Sequence, residues 1–113
     1  MLYEDKSKNI YIEANDLYIG ENVSFGEDIN IKVFGKFHLG DYSYLGNYIR
    51  MEGENIVIGK HFYYCPLDNL GLVVGGGGVN SPNSNLTVGD RCVFHNGLIN
   101  ICEPVTVGDD VGL

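Results

Sequence analysis

The chain has 113 residues, of which 44% are hydrophobic and 19% charged, and its formal net charge is −8. The hydrophobic content excludes a disordered chain, and the length predicts a single domain. Because phosphate backbones and anionic lipids repel such an acidic chain, we expect no nucleic-acid partner and no membrane partner.

The first residues predict a polar lead over residues 1–9 rather than a targeting segment. They lack the basic region followed by an apolar run that a secretion signal requires. The chain has three cysteines, an odd number without the paired spacing of a metal-binding motif. A reducing, cytoplasmic location is therefore the simpler expectation.

From Ile10 onward the sequence alternates apolar and polar residues, and a bulky apolar residue followed by glycine recurs. Every gap between successive glycines of these pairs is a whole multiple of six or exceeds one by one or two. A fixed short period is typical of a repeat architecture. The pairs are Ile19-Gly20, Phe25-Gly26, Leu39-Gly40, Leu45-Gly46, Ile58-Gly59, Val88-Gly89 and Val107-Gly108.

One repeat shows how the period becomes structure. Val23 and Phe25 point to one face of a strand and Ser24 to the other, while Gly26 tolerates a positive φ at the following corner. Six residues then give one strand and one corner, and three such sides close a coil of about eighteen residues. Inserted residues, as between Gly26 and Gly40, can bulge outward at a corner. The pattern predicts an all-β solenoid over residues 10–113.

Residues 63–85 interrupt the repeat and predict one external loop. Four glycines, Gly75 to Gly78, precede a run rich in serine, asparagine and proline, both of which are loop signals. The glycine run lacks the Gly-Lys-Ser/Thr sequence of a phosphate-binding loop. Since the gap between Gly59 and Gly89 is a whole multiple of six, the chain should return in phase, with an irregular rung near Leu70 to Val74.

The carboxyl end predicts an incomplete coil. The chain stops at Val111-Gly112-Leu113, where a new strand begins. Solenoids need a cap at each end, and no C-terminal cap is recognisable in the sequence. We expect either that the chain is a fragment of a longer protein or that another subunit covers this end.

Two segments, residues 19–29 and 105–113, resemble the hexapeptide-repeat acyltransferases, and the resemblance covers nearly the whole chain outside residues 1–9 and 63–85. It implies a left-handed parallel β-helix, a hand that the period alone cannot supply because parallel crossovers are mostly right-handed. It also implies a homotrimer with acetyl-CoA or another acyl-CoA in the groove between neighbouring helices.

Residues 86–113 are most similar to the branch that acetylates hydroxyl groups of sugars and small molecules. In that branch, a segment comparable to residues 92–101 carries an asparagine that faces the acceptor, and here this segment contains Asn96 and Asn100. An essential histidine follows shortly after a repeat like Val105 to Val111, beyond Leu113 in this chain. The resemblance therefore implies an acyltransferase that acts on a sugar or other small acceptor, or an incomplete piece of one.

Acyl transfer to a hydroxyl or an amine needs a general base, usually histidine. His95 is the candidate base because it follows the return of the chain from the insertion. His38 lies between two apolar residues and His61 at a corner, so both are expected at the surface. The candidate substrate-binding residues are Asn96, Asn100, Asp68 and Asn69.

Two alternatives remain open. A non-catalytic β-helix, serving as a scaffold or assembly module, fits the missing cap and the missing downstream histidine. A metalloprotein similar to the gamma-class carbonic anhydrases is disfavoured because the histidines are far apart along the chain and no His-x-x-x-x-His occurs, so no metal is expected. Cys92 is expected in the core, and a nucleophilic role is not indicated for it, Cys65 or Cys102.

Overall fold

A computed structural model describes residues 1–66, 71–75 and 84–113, and these residues form strands and no helix. The all-β prediction is confirmed. The strands in this part of the chain are β1 (Leu2–Asp5), β2 (Ile10–Ile19), β3 (Ser24–Phe25), β4 (Ile29–Leu39), β5 (Tyr44–Leu45), β6 (Ile49–Gly53), β7 (Asn55–Ile58), β8 (Tyr63–Tyr64), β9 (Leu72–Gly75), β10 (Asn85–Val88), β11 (Val93–Phe94), β12 (Gly97–Asn100) and β13 (Val105–Val107).

The strands from β2 onward wind into a β-solenoid of about four turns, in which each coil pairs in parallel with the next. Each coil has three sides, and the long strands β2 and β4 bend around a corner to contribute to two of them. The first side contains the first halves of β2 and β4, then β6, β9 and β12. The second contains their second halves, then β7, β10 and β13. The third contains β3, β5, β8 and β11.

The first coils are longer than the period predicts. Ile10 pairs with Ile29 and Ile29 with Ile49, so each of these coils holds more residues than three hexads. The additional residues lie at corners, where the register shifts between Ala14 and Asp16. Bulges at corners leave the ladder hydrogen bonds of each side intact, as the sequence predicts.

Apolar side chains of successive coils stack in columns inside the solenoid. Removing such a side chain from water stabilises the fold by about 1.5–3 kcal/mol. Cys92 belongs to this core as predicted: it is fully buried, and its thiol donates to the Gly108 carbonyl oxygen at 3.1 Å. The other buried columns include Ile10, Ile29, Ile49 and Leu72 on the first side, Phe37, Ile56 and Leu86 on the second, and Leu45, Tyr64 and Phe94 on the third.

The prediction that the motif glycines are needed for a positive φ is wrong. Their φ angles are not positive; instead, the residue two positions after each glycine has φ between 55° and 67°. Glycine is required because the next coil lies close: a Cβ on Gly20 would collide with the Asp41 carboxylate, and one on Gly40 would lie 2.6 Å from the Lys60 nitrogen. The left-handed residues are Asn22, Asp28, Tyr42, Tyr48, His61, Arg91 and Asp110.

The amino-terminal lead is an ordered strand. Strand β1 pairs antiparallel with the start of β2, and the Met1 amino group donates to the Ala14 carbonyl oxygen at 2.6 Å. The Tyr3 ring contacts Phe25 with centroids 5.3 Å apart. The lead therefore covers the outer edge of the first coil, which protects that edge from pairing with another strand.

The predicted external loop over residues 63–85 is too broad. Strand β8 pairs with β5, so Tyr63–Tyr64 is a rung of the solenoid and not part of a loop. Strand β9 pairs with β6, which confirms the rung predicted near Leu70 to Val74. Asn55 pairs with Asn85 and Ile58 with Val88, so the chain does return in phase after the insertion. Residues 67–70 and 76–83 lie outside the described residues.

Candidate functional site

His95 follows β11 at a corner of the solenoid, where the parallel register places it beside Cys65 of the preceding coil. Its ring nitrogen Nδ1 lies 3.0 Å from the Cys65 carbonyl oxygen. A carbonyl oxygen can only accept a hydrogen bond, so Nδ1 carries the hydrogen and Nε2 of the neutral ring keeps its lone pair. His95 is half-buried. It therefore has the tautomer of a general base.

Asn96 lines a pocket of about 220 Å³ directly after His95. The Leu98 side chain at its rim is 73% exposed. The rest of the lining is apolar apart from backbone, so Asn96 supplies the one side-chain amide among the described lining residues. The lining residues are Leu72, Phe94, Asn96, Gly97, Leu98, Ile99 and Leu113.

Asn100 has a different environment from Asn96. Its side-chain oxygen accepts a hydrogen bond from the Cys102 backbone nitrogen at 3.0 Å, two residues along the chain. Such a bond closes a local turn. Asn100 does not line the pocket at Asn96, so of these two candidate asparagines the structure places one at the pocket. Asp68 and Asn69, also predicted to bind substrate, lie outside the described residues.

The remaining histidines are in separate places. Nε2 of His38 is 3.1 Å from the Asp16 carboxylate, although the ring is poorly aligned for a hydrogen bond. The His38 ring also meets the Tyr18 ring edge-on, with centroids 5.8 Å apart. His61 stacks on Tyr42 at 5.2 Å. Across residues 1–66, 71–75 and 84–113, no group of three or more His, Cys, Asp or Glu side chains is placed to hold a metal ion.

Cys65, whose carbonyl holds His95, also contacts a tyrosine through its thiol. A side-chain hydrogen bond with Cys65, and then the charge of its thiolate, raise the pKa of the Tyr63 phenol. The Tyr63 ring in turn lies 5.3 Å from the Tyr44 ring of the neighbouring coil. Tyr44, Tyr63, Cys65 and His95 thus form a continuous surface across three coils.

No family model matches this chain, and neither a curated protein nor a solved structure matches it significantly. Within the described residues, no helix is long and apolar enough to cross a membrane. The functional assignment therefore depends on the residues of the chain itself.

His95 and Asn96 stay predictions as site residues, and their surroundings were not predicted. The Cys65 carbonyl and the pocket wall formed by Leu72 come from the preceding coil. The signal was present in the spacing, because the in-phase return of the chain brings Cys65 beside His95 once Tyr63–Tyr64 is recognised as a rung.

Proposed function

We propose that the protein transfers an acyl group from acetyl-CoA or another acyl-CoA to a hydroxyl or amine of a sugar or other small acceptor. The observation that carries the proposal is the His95 imidazole, which the Cys65 carbonyl fixes. His95 directly precedes Asn96, which lines the pocket, and is not itself one of the lining residues. The resemblance of residues 19–29 and 105–113 to hexapeptide-repeat acyltransferases supports it. The solenoid fold is compatible with that family.

In the proposed reaction, Nε2 of His95 accepts the proton of the acceptor hydroxyl while the acceptor oxygen attacks the acyl carbon. The protonated ring stays bound to the Cys65 carbonyl through Nδ1, and it returns the proton to the departing thiol. The Asn96 amide can donate to the acceptor or to the developing oxyanion. The apolar lining of the pocket fits a short acyl chain and limits access of water.

The proposal includes a cytoplasmic homotrimer that binds acyl-CoA between neighbouring subunits, as the resemblance implies. Its partners would be small molecules rather than nucleic acid or membranes, in keeping with the net charge of −8. Size-exclusion chromatography with light scattering distinguishes a trimer from a monomer directly.

The test is thiol release from acetyl-CoA in the presence of a panel of sugar and amine acceptors. His95→Ala should lower the rate by about 10²–10⁴-fold, the usual contribution of a general base, while acetyl-CoA still binds. His61→Ala is the matched control, because it removes an exposed imidazole that stacks on Tyr42 and does not line the pocket, and it should keep most of the activity. Absence of both thiol release and acetyl-CoA binding would contradict the proposal.

A non-catalytic scaffold is the second candidate. Val73 and Leu98 are registered neighbours on the outer surface of the first side, and both are exposed. A partner protein would bury this apolar pair. Pull-down of a stable partner that Leu98→Ser abolishes, with no thiol release by the wild type, would favour the scaffold.

A further inference from the structure

The second coil carries one more residue than its neighbours at the corner between the first and second sides. Ala14 pairs with Val33 and Asp16 with Lys36, so Asn15 is opposite both Phe34 and Gly35. The third coil, like the first, has a single residue at this corner. The additional residue places the Phe34 side chain outward, where it is 49% exposed. The side chain therefore lies outside the core of the stack.

Phe34 forms a wall of a pocket of about 330 Å³. The floor consists of Val33, which is 5% exposed, and of the buried Gly53. The lining is mostly apolar, and the exposed side chains of Glu13, Lys32 and Glu52 form the rest of it. An apolar concavity with a few convergent charged groups is the usual form of a small-molecule site.

The three charges alternate along the solenoid. Glu13 pairs with Lys32 and Lys32 with Glu52 in successive coils. In the described part of the chain, however, no carboxylate oxygen lies within 4.0 Å of the Lys32 ammonium, and one Glu13 oxygen instead accepts from the Tyr11 hydroxyl at 3.1 Å. Among the described residues, two carboxylates and one ammonium therefore surround the apolar floor without a direct ion pair to Lys32.

We propose that this pocket binds a small apolar zwitterion, of the class of free amino acids with aliphatic or aromatic side chains. The ligand ammonium pairs with the Glu13 and Glu52 carboxylates, its carboxylate pairs with Lys32, and its side chain packs on Phe34 and Val33. A simple organic cation would pair with the carboxylates but would leave Lys32 unpaired, and a simple anion would be repelled by the two carboxylates. A neutral apolar molecule would leave all three charges partly desolvated and unpaired.

This site is independent of the proposed acyl transfer. It shares no lining residue with the pocket at Asn96, and it lies on the first three coils whereas His95 belongs to the fourth. The result of the binding experiment therefore does not bear on the proposed acyl transfer.

The experiment compares L-phenylalanine with phenethylamine, which lacks the carboxylate, and with 3-phenylpropionate, which lacks the ammonium. Binding is followed by the amide NMR shifts of Val33 and Gly53. L-phenylalanine should bind with a dissociation constant on the order of 1 mM, as expected for so small a ligand. Each analogue should bind about threefold to tenfold more weakly, the usual weight of one exposed ion pair.

Variants assign each contact separately. Lys32→Met should weaken binding of L-phenylalanine, whose carboxylate pairs with Lys32. It should not weaken binding of phenethylamine, because that analogue has no carboxylate. The double variant Glu13→Gln with Glu52→Gln should weaken both amines and leave 3-phenylpropionate no weaker. Phe34→Ser should weaken all three ligands. Lys36→Met, an exposed lysine outside the pocket, is the control and should change nothing.

Because the substituted side chains are exposed, each variant should have the same urea midpoint of unfolding as the wild type. This midpoint is measured before the binding experiments. Equal binding of phenethylamine and L-phenylalanine to the wild type would overturn the zwitterion assignment. Absence of shifts at Val33 and Gly53 with about 20 mM L-phenylalanine, well above the expected constant, would overturn the site.

Discussion

At one corner of three coils, the residue after the motif glycine connects its coil to the preceding one through its side chain. One Asp41 oxygen accepts from the Glu21 backbone nitrogen at 2.9 Å, and Asp90 and Asp109 accept from the preceding coil in the same way. Lys60 occupies this place in the third coil and has no oxygen to offer. Among the described residues, nothing accepts from the Asp41 backbone nitrogen. The ladder of hydrogen bonds therefore has one gap.

Filling this gap should stabilise the protein. Lys60→Asn supplies a neutral oxygen at the position that Asp90 uses in the next coil, and one additional hydrogen bond contributes about 0.5–1.5 kcal/mol to the free energy of unfolding. Urea unfolding measures the change. Lys60→Gln is the matched control, since it removes the same charge but places its amide one methylene group further away. Equal stabilisation by both substitutions would attribute the effect to charge instead.

At the scale of the strand, the alternation of apolar residues was sufficient to predict the sides and their core. Val23 and Cys92 follow the motif glycine at the same distance, and both point inward. The strands of the insertion were harder to predict. Strand β9 (Leu72–Gly75) confirms the irregular rung predicted near Leu70 to Val74. Strand β8 (Tyr63–Tyr64) was missed, because two residues are too short to show a period and it is recognised only by its pairing with β5 from the preceding coil. Pairing between coils is a long-range property that a local pattern cannot express.

The candidate site depends on the same return of the chain. His95 and Asn96 were proposed because they follow that return, which is visible in the sequence, and their roles stay predictions. The Phe34 pocket was not predicted, because it depends on three coils and on a bulge of one residue at a corner. The role of the glycines was also misjudged, since close contact between coils leaves no trace in the sequence of one coil.

The contact between coils predicts very different costs for adding one methyl group to two motif glycines. A Cβ on Gly40 would lie 2.5 Å from the Gly59 carbonyl carbon and 2.6 Å from the Lys60 nitrogen, whereas one on Gly108 meets no described atom within 4 Å. Backbone atoms cannot move aside cheaply. Gly40→Ala should therefore lower the free energy of unfolding by about 2–3 kcal/mol, as overpacking does.

Gly108→Ala is the matched control, and its effect should stay within about 0.5 kcal/mol. Urea unfolding of both variants gives the comparison. Similar losses for the two glycines would show that backbone conformation, and not the distance between coils, determines the requirement.

For the molecule as a whole, the charge balance opposes the compact state. Fifteen acidic and seven basic side chains give the net charge of −8, and the described part of the chain measures only 30 × 30 × 27 Å. Attractive contacts exist: hydrogen bonding from Arg91 lowers the pKa of the Asp110 carboxyl, with an N–O distance of 2.7 Å. Such exposed pairs are few and weak, so repulsion should dominate.

Salt should therefore stabilise the protein at neutral pH. At an ionic strength of about 0.1 M the screening length falls to about 10 Å, a third of the width of the molecule, so repulsion between distant carboxylates is largely removed. Raising sodium chloride to about this concentration should raise the urea midpoint of unfolding. Near the isoelectric point of about 4.6, the net charge vanishes and the same salt should have little effect. A midpoint that falls with salt at neutral pH would mean that local pairs such as Arg91 and Asp110 outweigh the repulsion of the whole chain.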